Sequence, residues 1–200
     1  MKFEIQVVEV GALEYEIDTD MGMADRDGQV VRLARGFCYR RRLAMFDERG
    51  KALPSGVDLA PPSQRDFGCG PYSVGGTTLG RHWLPTIGKA RPIELDLIEP
   101  TLAVEWNAAP QLSHDPDPET AYRVAVVAKD AMGKRIPLPY GLLLELAVET
   151  PSACNVEHGE VIHRAPHEEC RVIVSVPRAP GEPALVLTSR APNQPNQAAQ

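Results

Sequence analysis

One stretch of this chain occurs twice. Cys38-Tyr-Arg-Arg-Arg-Leu-Ala-Met-Phe-Asp-Glu-Arg-Gly-Lys-Ala-Leu-Pro54 is echoed by Ala121-Tyr-Arg-Val-Ala-Val-Val-Ala-Lys-Asp-Ala-Met-Gly-Lys-Arg-Ile-Pro137. Tyr39 and Tyr122, Arg40 and Arg123, Asp47 and Asp130, Gly50 and Gly133, Lys51 and Lys134, and Pro54 and Pro137 all stand 83 positions apart. A constant offset of that size predicts two units of similar build, because β-sandwich modules run to roughly 100 residues. The 200-residue length accommodates both. The second copy shows what the unit is. Tyr122, Val124, Val126 and Ala128 alternate with Arg123, Ala125, Val127 and Lys129, which is the two-residue period of a strand with a core side and a wetter side.

Asp130-Ala-Met-Gly133 ends that strand. An aspartate side chain bonds the backbone ahead of it in a turn, and glycine takes positive φ without cost. Lys134 and Ile136 resume an extended path, and Pro137, lacking an N–H, suits a strand end. The unit is therefore a hairpin. The pattern Asp-x-x-Gly-Lys-x-(Leu/Ile)-Pro after an aromatic–aliphatic strand resembles bacterial immunoglobulin-like modules, over about 17 residues in each half. The resemblance implies a β-sandwich and says nothing about a ligand. The expected fold is all-β, two tandem immunoglobulin-like sandwiches at 1–92 and 93–190 with a polar tail at 191–200. The alternative is a single jelly roll or β-sandwich.

Composition agrees. The 19 Pro and 16 Gly suit many short strands and turns, and the 43% hydrophobic content supports packed cores. The net charge of −6 argues against nucleic acid as a partner. Residues 1–92 sum to +1 and residues 93–200 to −7, an asymmetry that suits contacts between copies or an acidic partner. The first ten residues contain no uninterrupted apolar core of a signal peptide, and no 18-residue apolar run exists. The expectation is a virion or cytoplasmic protein with no membrane contact. The four cysteines are then expected as thiols.

Strands are expected at 2–10, 13–18, 29–34 and 37–46, with a turn at Asp25–Gly28. The strand Phe37–Phe46 contains a conflict. Arg41 shares its phase with Tyr39, Leu43 and Met45, where the second copy has Val124. A buried unpaired arginine is costly, so Arg41 is expected on an edge, beside a carboxylate, or at a contact surface. Arg32, Arg35, Arg40, Arg41, Arg42 and Arg49 make this the most basic stretch, with Arg40, Arg41 and Arg42 as a candidate docking patch. Residues 60–92 are interrupted by Pro and Gly and hold Phe67, Tyr72 and Trp83. Long excursions of this kind make contacts, so Tyr72 and Trp83 join the candidate interaction surface. The second half offers seven strands, at 93–98, 101–106, 121–129, 141–149, 160–164, 170–176 and 183–189, the number an immunoglobulin-like sandwich uses. Residues 114–118 form an acidic loop, and the tail from Ala191 is low-complexity.

Chemistry is sparse. Cys154, His158, His163, His167 and Cys170 are zinc-type ligands, but C-x3-H-x4-H-x3-H-x2-C matches no zinc knuckle. His158, His163, His167 and Cys170 stand as weak metal candidates. Cys170 runs in phase with Val172, Val174 and Val176, which favours a buried apolar cysteine, with a Cys154–Cys170 disulfide as the oxidising alternative. Gly70-Pro-Tyr-Ser-Val-Gly75 resembles a nucleophile elbow, but Pro71 stands where that motif needs Gly, and Gly75-Gly-Thr-Thr-Leu-Gly80 lacks the Gly-Lys of a phosphate loop. Neither a catalytic residue nor a cofactor is expected. The function expected is a non-enzymatic structural or interaction protein, a homo-oligomeric β-sandwich component of a larger assembly such as a phage virion (decoration, tail or neck). Its partners are then protein subunits of the same assembly. The alternatives are a carbohydrate or cell-surface binding module using Trp83, Trp106 and Tyr72, and a metal-dependent enzyme using the 154–170 cluster.

Overall fold

Both copies of the repeated stretch are strands in the computed structural model, which describes residues 11–23, 26–27, 30–53, 69, 73–84, 93–108, 120–165 and 168–192. The chain is all-β; among the described residues there is no helix. The strands are β1 (Ala12–Thr19), β2 (Gly22–Met23), β3 (Arg26–Asp27), β4 (Val30–Ala34), β5 (Phe37–Phe46), β6 (Ser73–Gly76), β7 (Gly80–Leu84) and β8 (Ile93–Ile98). They continue with β9 (Thr101–Ala108), β10 (Thr120–Lys129), β11 (Arg135–Ile136), β12 (Glu145–Val148), β13 (Cys154–Glu157), β14 (Glu160–His163), β15 (Arg171–Val176) and β16 (Leu185–Arg190). The expected strand at 2–10, the acidic loop at 114–118, the tail from 193 and much of the 60–92 excursion lie outside the described residues.

The chain divides into two compact units. The first is Met1–Pro100 with Ile136–Gly141 and Ala179–Glu182; the second is Thr101–Arg135, Leu142–Arg178 and Pro183–Gln200. In the first, one open sheet runs β2-β1-β5-β6 and another β3-β4-β8-β7. In the second, β10 lies between β9 and β14 in a five-stranded sheet completed by β11 and β13, and a three-stranded sheet runs β12-β15-β16. Two open sheets in each unit are the elements of a β-sandwich. β8, placed by sequence at the start of a second domain, pairs in parallel with β4 and antiparallel with β7.

The repeat extends beyond sequence. β5 pairs along Ile17–Ala12 with an earlier strand, β1, and β10 pairs over Tyr122–Lys129 with an earlier strand, β9. The start of β5, Phe37–Arg40, pairs with a later strand, β6; the start of β10, Thr120–Arg123, pairs with a later strand, β14. Each repeat strand thus has two partners, which take up largely different parts of its length.

The turns match bond for bond. Asp47 Oδ1 accepts from Arg49 N and Lys51 N, both at 2.9 Å, and Asp130 Oδ1 accepts from Met132 N at 2.9 Å and Lys134 N at 2.8 Å. Gly50 and Gly133 close the turns at φ 76° and 79°, a region that favours glycine. One carboxylate oxygen and one glycine therefore explain the shared Asp-x-x-Gly.

The two repeat tyrosines also have parallel tasks. Tyr39, on β5, is fully buried; its hydroxyl accepts from Ala34 N at 2.9 Å and donates to Pro137 O at 2.9 Å. Ala34 ends β4, in the other sheet of that unit. Tyr122, on β10, places its hydroxyl 3.4 Å from Pro192 O, just beyond β16 in the opposite sheet of the second unit. Each phenol pins a segment flanking the facing sheet.

Several elements differ from the sequence expectation. Arg26 and Asp27, expected in a turn, pair with Val31 and Val30 because the hairpin into β4 begins there. The strand expected at 141–149 shortens to Glu145–Val148, since Gly141 at φ 70° belongs to a turn. β10 does not keep one wet face: Val127 is as buried as Ala128 although their side chains point opposite ways.

Burial pushes the Tyr39 phenol far above its ordinary value. The unfolded chain loses that proton near pH 10 while the folded chain keeps it, so stability falls as pH rises beyond about 10. Tyr39→Phe is expected to cost about 1–3 kcal/mol in urea unfolding at neutral pH, because Ala34 N loses its acceptor, and to weaken that alkaline dependence. Tyr122→Phe, with its longer bond, is expected to cost less than about 1 kcal/mol. Asp130→Ala, at a buried carboxylate, is expected to cost about 1–2 kcal/mol and more than Asp47→Ala, whose bonds are exposed; equal losses at the two turns would refute that ranking.

Candidate functional site

The arginine stretch lies on β5. Arg40 and Arg42 are exposed and Arg41 is half-buried, in line with the core phase that sequence gives it. Arg41 sits opposite Ile17 on β1. Arg42 sits opposite Glu16 and binds it at 2.6 Å, with Asp18 at 3.8 Å. The cross-strand carboxylates offset much of the positive charge that sequence alone concentrates here. Arg40 pairs in register with Ser73 of β6. The structure therefore brings Arg40 and Arg42 to one face of β5, together with the acids of β1. Tyr72 lies outside the described residues, and Trp83 lies on β7 opposite Glu94.

Trp106, the third aromatic of the carbohydrate alternative, is engaged internally. Its indole N–H donates to Ser189 Oγ at 2.9 Å, joining β9 to β16. Its ring meets Tyr122 edge-on, with centroids 5.8 Å apart and planes at 89°. That geometry uses the indole as a brace between the sheets of its unit rather than as a stacking platform.

Several surface charges elsewhere are paired. Glu169 accepts from Arg171 and from Arg190, the latter at 2.6 Å, and the Arg171 guanidinium holds its carboxyl below the usual range. Arg35 binds Glu99 at 2.7 Å, and Arg123 binds Glu160 at 2.7 Å. Such exposed pairs fix local geometry and contribute little to stability.

The cysteines overturn an expectation. They are not thiols: Cys38 pairs with Cys69 and Cys154 with Cys170, and none is left free. The Cα atoms are 5.7 Å apart in both, within the span a disulfide needs. Cys38–Cys69 ties the excursion after β5 back to β5 beside β6. Cys154 opens β13 and Cys170 directly precedes β15, so the second bridge joins the two sheets of its unit. Cys154–Cys170 is the oxidising alternative that the sequence offered; Cys38–Cys69 was not expected, since spacing alone does not supply connectivity.

The weak metal candidates separate. His158 is exposed in the β13–β14 turn at φ 53°. His167 lies outside the described residues. His163 is fully buried on β14, directly opposite Cys154. Its Nε2 lies 3.1 Å from Glu168 O, and its Nδ1 has no hydrogen-bond partner among the described residues.

No family model and no curated protein matches this chain. Among solved structures it is similar to surface layer protein SbsC, domains 4–9, at 13% identity and a TM-score of 0.30. The match covers 92% of this chain and 31% of that one, so the chain spans about a third of that structure's length.

Closing loops of 31 and 16 residues, the two disulfides each restrict the unfolded chain. Paired Cys→Ser replacement is expected to cost about 3–4 kcal/mol at either bridge, with 38/69 the larger by about 0.6 kcal/mol from loop length. Urea unfolding of the two double variants measures both; a negligible loss at 154/170 would show that the sheets of that unit hold without their bridge.

Proposed function

We propose that this chain is a non-enzymatic structural or interaction protein: a β-sandwich component of a larger protein assembly, in the manner of a phage decoration, tail or neck protein. The observation that carries this reading is the repeated frame. Two units share a hairpin strand, its turn bonds, its flanking strands and a tyrosine reaching toward the facing sheet. Such duplication extends a scaffold, which is what a spacer or shell component requires.

Immunoglobulin-like character belongs to this proposal. It is supported by the cross-sheet tyrosines and, in the second unit, by a disulfide between sheets, both features such sandwiches use. The disulfides also favour an oxidising setting over a reducing cytosol. A particle exterior fits, its bonds forming after release from the cell. The partners are protein subunits of the same assembly, copies of this chain included, with the β5 face around Arg40 and Arg42 and the strand holding Trp83 as candidate contacts.

Sedimentation of material from the native source tests the reading. The chain is expected to travel with a large particle and to yield no alkylatable thiols until reduced. A free monomer carrying four thiols would sink it.

A further inference from the structure

The 154–170 region contains a feature that a structural disulfide does not need. Cys154 and His163 are direct cross-strand partners, so their side chains leave the same face of the β13–β14 hairpin. Cys170 is bonded to Cys154, and all three residues are about 1% exposed. His163 Nε2 faces the carbonyl oxygen of Glu168, which only accepts, so Nε2 carries the ring proton. The lone pair of the neutral ring is then on Nδ1, the atom with no hydrogen-bond partner among the described residues. A buried lone pair without a donor is costly to maintain. An imidazole whose other nitrogen is fixed on a carbonyl is also the usual arrangement of a metal-ligating histidine.

The sulfur side is prepared as well. Thr150 Oγ1 lies 3.8 Å from Cys154 Sγ and accepts from Arg171 N at 2.9 Å, which leaves its own proton available to the sulfur. A hydroxyl donor of that kind stabilises a thiolate. No three His, Cys, Asp or Glu among the described residues form a metal site in this structure, in which Cys154 and Cys170 are bonded to each other. Disulfide sulfurs are not thiolates, and thiolates are what a metal takes.

We propose that reduction of the Cys154–Cys170 disulfide converts this cluster into a zinc site, with Cys154 Sγ, Cys170 Sγ and His163 Nδ1 as ligands and water in the fourth position. Two thiolates and an imidazole are a zinc-type donor set. The bridge and the metal are alternative staples between the same two sheets, one for an oxidising and one for a reducing compartment. A particle component made in the cytosol and released outside it meets both. With a trialkylphosphine as reductant, the S–S bond breaks, two electrons pass from phosphorus to the sulfurs, and water supplies two protons and the oxygen of the phosphine oxide. Zinc then displaces the two thiol protons into buffer.

The test uses the full chain, oxidised or phosphine-reduced, and Zn²⁺ alone. The reduced chain is expected to retain one zinc through gel filtration and to unfold at a higher temperature with zinc than without it. The oxidised chain is expected to retain none. Co²⁺ in place of zinc is expected to give thiolate charge-transfer absorption. His163→Asn is expected to weaken binding by about tenfold or more, whereas His158→Asn and Cys38→Ser/Cys69→Ser leave it unchanged. A reduced chain that binds no zinc overturns the proposal. So does zinc bound without a rise in unfolding temperature, which is the signature of ligation by the unfolded chain, or binding that follows His158 or Cys38 instead.

Discussion

The hydroxyl of Tyr39 is a single polar group in a fully buried position, and three segments depend on it. It takes the proton of Ala34 N and gives its own to Pro137 O, 98 positions away in the chain. A buried phenol without those partners would destabilise the core it fills. With them it fixes where the chain leaves β4, where it enters β5, and where the 136–141 segment must lie. That segment is bound further by Asp20, whose N–H donates to Leu138 O at 2.8 Å and whose Oδ1 accepts from Leu138 N at 2.7 Å. A stretch distant in sequence is thereby made part of the first unit.

The second unit solves the same problem with more devices. Its tyrosine bond is longer, and its two sheets are joined also by the Cys154–Cys170 bridge and by Trp106 Nε1 on Ser189 Oγ. Below these contacts lie Val172, Val174 and Val176, each fully buried on one face of β15. Apolar burial supplies the drive and has no direction of its own; the directional bonds decide which segment meets which. The two units reach one frame by different weightings of the same physics.

Charge is arranged to stay local. Arg42 meets the carboxylates of β1, Arg123 meets Glu160, and Glu169 gathers Arg171 and Arg190. A basic stretch in sequence is thus less basic in space, because antiparallel pairing places an acidic strand beside it.

The repeat, the hairpin and the all-β class were legible in the sequence. Asp-x-x-Gly is a local device, since its carboxylate and its positive φ act within five residues, and the period of Val172, Val174 and Val176 states a buried face directly. The sequence raised Cys154–Cys170 only as an alternative and gave no sign of Cys38–Cys69, because connectivity depends on Cα atoms that strand pairing brings within reach. It could not show that Ile93–Ile98 lies beside β4, because a parallel pairing leaves no turn signature. Trp106 and His163 were visible as residue types, but their partners, Ser189 and Cys154, lie on other strands. Local rules set the turns and the alternation; only the pairing of distant strands decided the bridges, the braces and the buried histidine.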